Sequence, residues 1–457
     1  MVDAGYLTDA SGFTGWAERL IVPESEAEVL EALTEAVRTR TPVTIAGAGS
    51  GLTGSRVPQG GWVLSLERLR KLEIEPGMAR AGPGVTLLEL RDAAARTGQF
   101  YAPDPTEITA SVGGTIATNA SGSRSFLYGS TRRHLLGLKV ALLDGTARWY
   151  RRGEAIDFEA PAIPLPATTK TTAGYRLAPG MDWVDLFCGS EGTLGVTLEA
   201  ELALLPIPAE LFAGVVFFAG DDDALDAVGR WRAVRGLRML EYFDGPALEL
   251  LRTRYPDIPG TAQAALLIES EGSSGGVDED LEAWEARLVE GHALVEASWF
   301  AVEAKDRERF RKFRHAMPEL VVETMRRRGM MNMGTDYAVP LARDREMLAF
   351  YRERLQAALP GRYVIFGHLG DAHLHVNMLP ATEAEAATAT RLLREFATHA
   401  VELGGTVSAE HGLGKRKASL LGLQFAEQEI EAMRAVKRRL DPLGLLGRGT
   451  LFGAAAL

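Results

Sequence analysis

The chain has 457 residues and a formal net charge of −11, so it is too long for one hydrophobic core, and two or three domains are expected. The acidic balance argues against a nucleic-acid-binding protein, which needs a basic face, and no apolar run approaches the length of a membrane span. The single cysteine, Cys188, excludes intramolecular disulfides, cysteine zinc sites and iron–sulfur clusters, so redox chemistry here would need a bound organic cofactor.

The first part of the chain alternates helix and strand patterns. The first twenty residues lack a basic start followed by an apolar stretch, so no signal peptide is predicted and the expected compartment is the cytoplasm. Helices are predicted at 23–40 and 84–98, the second with Thr86 and Glu89 at capping-box spacing, and strands at 41–47 and 62–66. Residues 103–130 show no helical periodicity, and 135–150 predict a hairpin that turns at Asp144-Gly145.

Composition changes near residue 209, where 213–236 predict a strand and then a helix. Residues 271–280 predict a surface loop, and 383–403 a long helix that stops at Gly404-Gly405. We therefore expect a first domain at 1–208, a second α+β domain at 209–403 and a C-terminal segment at 404–457.

The glycine-rich stretch "GAGSGLTG" at 47–54 follows a predicted strand and is typical of a backbone loop that holds a pyrophosphate. It is not a dinucleotide-binding fingerprint of the usual kind, because Pro58, Gly60 and Gly61 prevent a helix from opening directly after it. It also lacks the Gly-Lys-Ser/Thr of a P-loop. On its own this stretch could equally be a simple turn.

A second stretch, "PDPTEITASVGGTIATNASG" at 103–122, favours cofactor binding. Its small residues offer little apolar area for a core, but they allow a flat cofactor to approach the backbone closely.

Three of the eight histidines of the chain lie in "FGHLGDAHLHVNML" at 366–379. A turn at 369–372 predicts a hairpin in which His368 lies opposite His373, while His375 and Asn377 follow on the same face at a period of two. Imidazoles that converge on one face are typical of a metal site; a histidine-bearing polar sheet face is the alternative.

Four motifs, in the same order along the chain, resemble FAD-linked oxidases of the vanillyl-alcohol-oxidase type, in the branch of D-lactate dehydrogenases and glycolate-oxidase flavin subunits. They are "GAGSGLTG", the 103–122 stretch, "GSEGTLG" at 189–195 and "EHGLGK" at 410–415. The resemblance implies an α+β fold: a two-lobed FAD-binding domain, an antiparallel-sheet cap that carries the substrate, and a C-terminal segment that returns to the active site.

The resemblance also implies which residues hold FAD. The pyrophosphate would lie on the backbone of Gly47, Ala48, Gly49, Ser50, Gly51, Leu52 and Thr53. The ADP and flavin would be lined by Pro103, Asp104, Ser111, Gly113, Gly114, Thr118, Asn119, Gly122, Gly195 and Val196. Some relatives attach FAD covalently to a histidine of the pyrophosphate loop; this loop has none, so non-covalent FAD is expected.

"GHLGDAHLH" resembles the family pattern GHxGDGNxH, whose outer histidines bind a divalent metal. They correspond to His368 and His375, with Glu410 as third ligand and His411 as the base. Zn, Mn or Fe would suit these ligands. Arg314 matches an arginine that grips the substrate carboxylate in relatives, and a solvated helix arginine is the alternative.

His373 departs from the pattern, because relatives carry asparagine there. It either joins the metal as an additional ligand or makes hydrogen bonds to Glu410 or the substrate; we expect the second role, since two cross-strand histidines already share one ion.

The expected function is FAD-dependent, metal-assisted oxidation of a small D-2-hydroxy acid to the 2-oxo acid, with electrons passed to an external quinone, cytochrome or iron–sulfur subunit, or to oxygen. "GTDYAVP" (334–340) resembles the TDxxxP of the lactate and glycolate branch, and it lacks the lysine that binds the distal carboxylate in 2-hydroxyglutarate enzymes. The resemblance therefore implies a small monocarboxylate such as D-lactate or glycolate. The alternatives are a flavin oxidase of another alcohol class or a lyase-type relative, and a flavoprotein subunit without activity of its own. A homodimer or a larger complex is possible.

Overall fold

Helices alternate with mostly antiparallel strands, in a computed structural model that describes residues 2–272 and 277–453. Within those ranges the strands form four sheets, and the predicted α+β class follows from their antiparallel pairing and the helices that cover them. None of the described helices combines the length and apolar character needed to cross a lipid bilayer.

The first sheet is small and parallel. Its strands, in spatial order, are Arg19–Ile21, Trp62–Ser65 and Val43–Ala46. The predicted first helix packs beside it as Glu26–Thr39, capped by Ser25, whose hydroxyl accepts the Glu28 N–H. Its buried Val29, Leu33 and Ala36 recur at helical spacing and place one apolar face against this sheet.

An antiparallel five-stranded sheet follows. Its strands, in spatial order, are Leu72–Glu75, Met78–Ala81, Val196–Ala203, Leu135–Ala141 and Ala147–Arg151. Gln99–Phe100 and Leu205–Pro206 form a two-stranded ladder, and the helices of this region are Leu87–Ala95, Val112–Ala117, Ser125–Tyr128 and Trp183–Phe187. The predicted hairpin and the capping box of Thr86 and Glu89 are both confirmed.

Residues 103–130, which show no helical periodicity, nevertheless contain two short helices. In the first, the Ser111 hydroxyl accepts the Gly114 N–H, and Val112, Thr115 and Ile116 are buried. A six-residue helix is too short to show a repeating apolar stripe in the sequence.

The largest sheet is antiparallel and carries the histidine hairpin. Its strands, in spatial order, are Trp299–Ala301, Leu211–Phe218, Ala264–Glu271, Leu237–Asp244, Tyr363–His368, His373–Met378 and Met333–Gly334, and Tyr337–Ala338 also pairs with His373–Met378. The helices around it are Asp221–Trp231, Gly245–Arg252, Val277–Glu290, Ala304–Arg327, Asp344–Ala358 and Glu383–Glu402.

Of the loop predicted at 271–280, residues 273–276 lie outside the described residues, whereas 277–280 belong to a helix rather than a loop. The stop of the long helix before Gly404-Gly405 is confirmed, since Gly404 has φ +81°.

The C-terminal residues connect the largest sheet with the first one. Thr406 bridges Ala338, and after the helices Leu421–Gln424 and Glu427–Leu440 the chain reaches Leu446, which bridges Val43. This path brings residues 410–415 across the region between the sheets. The division at residues 208 and 403 stays a prediction.

Candidate active site

The histidine hairpin has the predicted register. His368 pairs with His373, and Phe366 pairs with His375. The turn is a short 3-10 segment, Leu369–Asp371, closed by Ala372 in the left-handed region at φ 51°, where glycine is usual. Antiparallel pairing directs the three imidazoles to one side of the two strands, so the predicted convergence is confirmed.

Glu410 completes a compact group with these three histidines. One potential ligand atom from each of His368, His373, His375 and Glu410 lies within 4.8 Å of the others. His368 Nε2 is 3.3 Å from Glu410 Oε2, and His368 and His373 are buried. Nitrogen and carboxylate donors gathered in a buried place match the chemistry of a divalent metal site, so the predicted ligands fit such an ion.

The two predicted histidine ligands each have one nitrogen turned away from this group. His368 Nδ1 lies 2.5 Å from Glu241 Oε1, and His375 Nδ1 lies 3.2 Å from the Thr335 carbonyl oxygen. Both acceptors favour a proton on Nδ1, which leaves Nε2 free to bind a metal. Burial and the neighbouring histidines hold the pKa of His375 well below its usual value, so its ring is neutral, as a ligand must be.

The carboxylate of Glu410 is held by residues from the first half of the chain. Its Oε1 accepts hydrogen bonds from Lys170 Nζ at 2.5 Å and Ser121 Oγ at 2.7 Å. Burial opposes ionisation of Glu410, but His368 and Lys170 outweigh it and keep the pKa of this carboxyl well below its usual value. Glu410 is therefore an ionised carboxylate with a fixed orientation.

Asp336 lies on the far side of His373. It is fully buried and accepts the backbone N–H groups of Glu410 and His411 at 3.1 and 3.0 Å and the Ser408 hydroxyl at 2.7 Å. Its Oδ1 is 3.3 Å from His373 Nε2. These contacts tie the C-terminal segment to the histidine hairpin through one carboxylate.

His411 is the more open histidine of the site. Its side chain is 28 % exposed, against 0–3 % for His373 and His368, and its ring stacks on His375 with centroids 5.8 Å apart. Burial lowers the pKa of His411 and Asp336 only partly offsets this, so the imidazole is neutral near pH 7 and able to accept a proton. A neutral ring with an open face suits the predicted base.

Arg314 is buried in the helix Ala304–Arg327, so a solvated helix arginine, the alternative weighed from sequence, is wrong. Its Nε donates to Glu241 Oε2 at 2.6 Å, and Glu241 Oε1 faces His368. Among the described residues, its two terminal nitrogens make no hydrogen bond. They form a pair of donors that can bind a carboxylate, on a side chain that Glu241 links to His368.

The two glycine-rich stretches meet each other. The Ser111 hydroxyl accepts the N–H groups of both Ala48 and Gly114, and a Cβ on Gly47 would lie 2.7 Å from Ser111 Oγ. Within the described part of the chain, the backbone N–H groups of residues 49–53 donate to no protein acceptor. Five successive free N–H groups beside close-packed glycines fit a pyrophosphate, so these residues suit FAD.

The other residues predicted to line FAD surround this junction. Asp104 bridges Gly122, where a Cβ would lie 2.0 Å from the Asp104 carbonyl oxygen, and the Glu191 N–H donates to Ala117 next to Thr118. The side chains of Asp104 and Asn119 are used internally: Asp104 pairs with Arg91 and Arg124, and Asn119 Oδ1 accepts the Arg132 N–H. Gly113 packs on Pro83, and Arg91 donates to the Pro103 carbonyl oxygen. Val196 starts a strand and pairs with Ala141, directly after Gly195. Their contacts with FAD stay a prediction.

Sequence reasoning gave no role to Lys170, Glu241 or Asp336. Glu241 had a detectable signal, because it is a charged residue inside the apolar strand Leu237–Asp244 and is 1 % exposed. Lys170 lies in a stretch without periodicity, 240 positions before Glu410, so only the folded chain shows that they meet.

Two family models match the chain. Residues 17–151 match a family described as an FAD binding domain, and residues 207–451 match the C-terminal domain of FAD linked oxidases. The second match covers more than half of the chain and includes the whole histidine hairpin and Glu410.

The chain is similar over nearly its full length to named enzymes. The glycolate oxidase subunit GlcD of Bacillus subtilis is 30 % identical, with 96 % of this chain and 90 % of the relative covered. The D-lactate dehydrogenase of Archaeoglobus fulgidus is 32 % identical, with 95 % and 91 % covered. GlcD of Escherichia coli strain K12 is 33 % identical, with 94 % and 82 % covered.

Among solved structures, an alkyldihydroxyacetonephosphate synthase superposes with a TM-score of 0.68 at 16 % identity, over 94 % of this chain and 75 % of that one. This likeness confirms the expected fold class.

Proposed function

The chain belongs to the FAD-linked oxidase family, as its motifs predict, and we propose that it oxidises a small D-2-hydroxy acid of the D-lactate or glycolate type to the 2-oxo acid. The observation that carries this proposal is that the proposed metal ligands and base are linked to both glycine-rich stretches and to the arginine. Glu410 accepts the Ser121 hydroxyl and the Gly122 N–H, the Thr53 hydroxyl donates to the His411 carbonyl oxygen, and Glu241 joins His368 to Arg314. The names of the relatives support the same substrate class.

The substrate would be held by its carboxylate. Arg314 is anchored by Glu241 through Nε, so its terminal nitrogens are fixed in direction and can donate two parallel hydrogen bonds to a carboxylate. Arg314 and the metal group are linked through Glu241 and His368, so a short 2-hydroxy acid can reach both.

His411 would accept the hydroxyl proton of the substrate at a ring nitrogen. Its Nδ1 lies 3.6 Å from Asp336 Oδ2, and this carboxylate stabilises the imidazolium that proton transfer creates. The pKa of Asp336 is held far below its usual value, mainly by His411 and His373 against the opposing effect of burial, so Asp336 stays ionised during the reaction.

Residues His368, His375 and Glu410 would hold the divalent metal, and residues 47–53 with the 103–122 stretch would hold FAD non-covalently. When bound, the metal polarises the hydroxyl oxygen and FAD accepts two electrons with the C2 hydrogen. The electrons would leave to a separate quinone, cytochrome or iron–sulfur protein, since one cysteine cannot build a cluster in this chain.

An anaerobic substrate screen tests this function. The purified protein should be yellow, acid should release free FAD, and D-lactate or glycolate should bleach the flavin faster than L-lactate or D-2-hydroxyglutarate. A colourless protein that takes up no added FAD would refute the flavin site. A yellow protein bleached by none of these acids, but by another alcohol, would instead support the alternative oxidase class.

Chelation tests the metal separately. Removal of divalent ions should abolish turnover and leave FAD bound, because the residues proposed for the two cofactors are different. Zn²⁺, Mn²⁺ or Fe²⁺ should restore turnover. Full activity in exhaustively chelated, metal-free protein would show that oxidation here proceeds without a metal.

A further inference from the structure

His373 is a buried polar residue that stands beside the proposed ligands but is not one of them. Its side chain is 0 % exposed, and neither ring nitrogen makes a hydrogen bond of good geometry within the described residues. A buried imidazole nitrogen without a polar partner is costly unless something absent from the protein itself binds it.

The surroundings of His373 distinguish its two nitrogens. Nε2 faces the ionised Asp336 at 3.3 Å, so the ring proton belongs there, and the lone pair is then on Nδ1. Nδ1 lies 4.0 Å from Glu410 Oε1, on the side of the other ligands. One ligand-capable atom from each of His368, His373, His375 and Glu410 lies within 4.8 Å of the others, so the His373 ring stands among the proposed ligands.

We propose that His373 is a fourth protein ligand of the metal, bound through Nδ1 and oriented by Asp336 on Nε2. This inference rests on the proposed function, because it concerns the same metal site. The arrangement of carboxylate, imidazole and metal in a row is a common way to fix a ligand and raise its basicity. It replaces the hydrogen-bonding role expected from the sequence, since 4.0 Å between His373 Nδ1 and Glu410 Oε1 is too long for a hydrogen bond.

The consequence is a site with three imidazoles and one carboxylate where the family pattern supplies two imidazoles and one carboxylate. Imidazole favours zinc and iron over manganese, which is better served by oxygen ligands. The chain should therefore prefer Zn²⁺ to Mn²⁺ more strongly than a variant with the family's asparagine.

The test is X-ray absorption of zinc-loaded protein, read out as the number of coordinated imidazoles, together with competition against a chromophoric chelator. The wild type should show three imidazoles, and His373→Asn should show two. The variant should also bind Zn²⁺ more weakly by more than about a hundredfold, beyond what loss of an outer hydrogen-bonding partner causes. His292→Asn makes the same exchange at a histidine whose side chain is 77 % exposed, and it should match the wild type.

Two imidazoles in the wild type would overturn the proposal, as would zinc affinity in His373→Asn within tenfold of the wild type. The absorption spectrum of the wild type decides the matter even if the variant does not fold. Failure of the proposed function looks different: the wild type would then bind no zinc, or its turnover would resist chelation. Flavin bleaching by D-lactate or glycolate would still test whether the protein oxidises a 2-hydroxy acid.

Discussion

Glu241 joins the proposed substrate anchor to the metal group, because its two carboxylate oxygens face Arg314 Nε at 2.6 Å and His368 Nδ1 at 2.5 Å. Burial opposes its ionisation, but His368 and Arg314 lower its pKa to about 2. A carboxylate has acceptors for both donors, whereas an amide has an oxygen for only one of them. This residue therefore sets the direction of two functional side chains at once.

Glu241→Gln should weaken metal binding by about tenfold to a hundredfold, the usual range when a ligand loses its outer partner. The physical reason is that His368 loses the negative charge that fixes its proton on Nδ1. Metal affinity measured by chelator competition checks this. Glu249→Gln is the control, because its side chain is 73 % exposed. Unchanged affinity in Glu241→Gln would mean that His368 is oriented by the hairpin alone.

Arg314→Lys should lower kcat/KM by about tenfold to a hundredfold, a loss of about 1.4–2.7 kcal/mol, mainly through KM. Lysine keeps the positive charge but cannot satisfy Glu241 and a carboxylate through one planar group. Steady-state kinetics with the acid that bleaches the flavin provide the measurement. Arg311→Lys, one turn earlier on the same helix and 48 % exposed, should behave as the wild type. Equal kinetics in both variants would place the carboxylate anchor elsewhere.

At the scale of elements, the features that could be predicted from the sequence are those set by residues close together in the chain. The Thr86 capping box, the Asp144-Gly145 turn and the register of His368 with His373 all depend on residues a few positions apart, and all three are confirmed. The short helix Val112–Ala117 escaped prediction because its length gives no period.

The contacts that complete the site could not be predicted in this way. Lys170 reaches Glu410, and Glu241 reaches Arg314, only because separate sheets and helices pack together. The resemblance to a family pointed to His411 and Glu410, but it did not identify the residues that contact them. Asp336 lay inside a motif that the sequence analysis named, yet its contacts with His373, Glu410 and His411 are a product of the fold.

The helix Gly245–Arg252 begins at a buried carboxyl group, Asp244, whose ionisation should destabilise the folded chain. Asp244 caps it by accepting the Ala247 N–H at 2.8 Å, and burial raises the pKa of Asp244 to about 7. In the folded chain this carboxyl thus holds its proton to a higher pH than in the unfolded chain. Its contribution to stability is then largest below the unfolded pKa and is lost as the pH rises toward 7.

Asp244→Asn removes this titration and keeps a residue that caps well. The Tm of the variant relative to the wild type should therefore rise between pH 5 and pH 8, by an amount equivalent to at most a few kcal/mol. Thermal unfolding followed at both pH values checks this. Asp144→Asn is the control at an exposed turn. A Tm difference that is constant, or that falls with pH, would contradict a raised pKa at Asp244.

At the scale of the whole molecule, the site depends on three segments that are distant in the sequence and clamped together by one carboxylate. Glu191 accepts the Ser55 hydroxyl at 2.5 Å and the N–H groups of Leu413 and Gly414, each at 2.9 Å. The N–H groups of Lys415 and Arg416 in turn donate to the Thr53 carbonyl oxygen. Ser55 directly after the glycine-rich loop, the 189–195 stretch and the segment with Glu410 and His411 thus meet at one buried carboxylate.

Gly414 shows how closely these segments approach. It has φ +55°, and a Cβ there would lie 2.2 Å from the Thr53 carbonyl oxygen, so only glycine fits. Burial of Glu191 raises its pKa against the effect of its three hydrogen bonds, which means that the clamp holds a carboxyl in an unfavourable interior. Such a group should stabilise the assembled state only while all of its partners are in place.

Glu191→Gln should lower the free energy of unfolding by about 1–3 kcal/mol, because the amide nitrogen faces a backbone N–H that it cannot accept. It should also bind FAD more weakly, because the loop at Thr53 loses the segment that supports it. On dilution, FAD should therefore dissociate from the variant at protein concentrations at which the wild type still retains it. Chemical denaturation and the fluorescence of released flavin on dilution give the two measurements. Glu75→Gln, at the exposed end of a strand, should change neither. If Glu191→Gln loses stability but retains FAD as tightly as this control, the clamp would support the C-terminal segment without organising the proposed pyrophosphate loop.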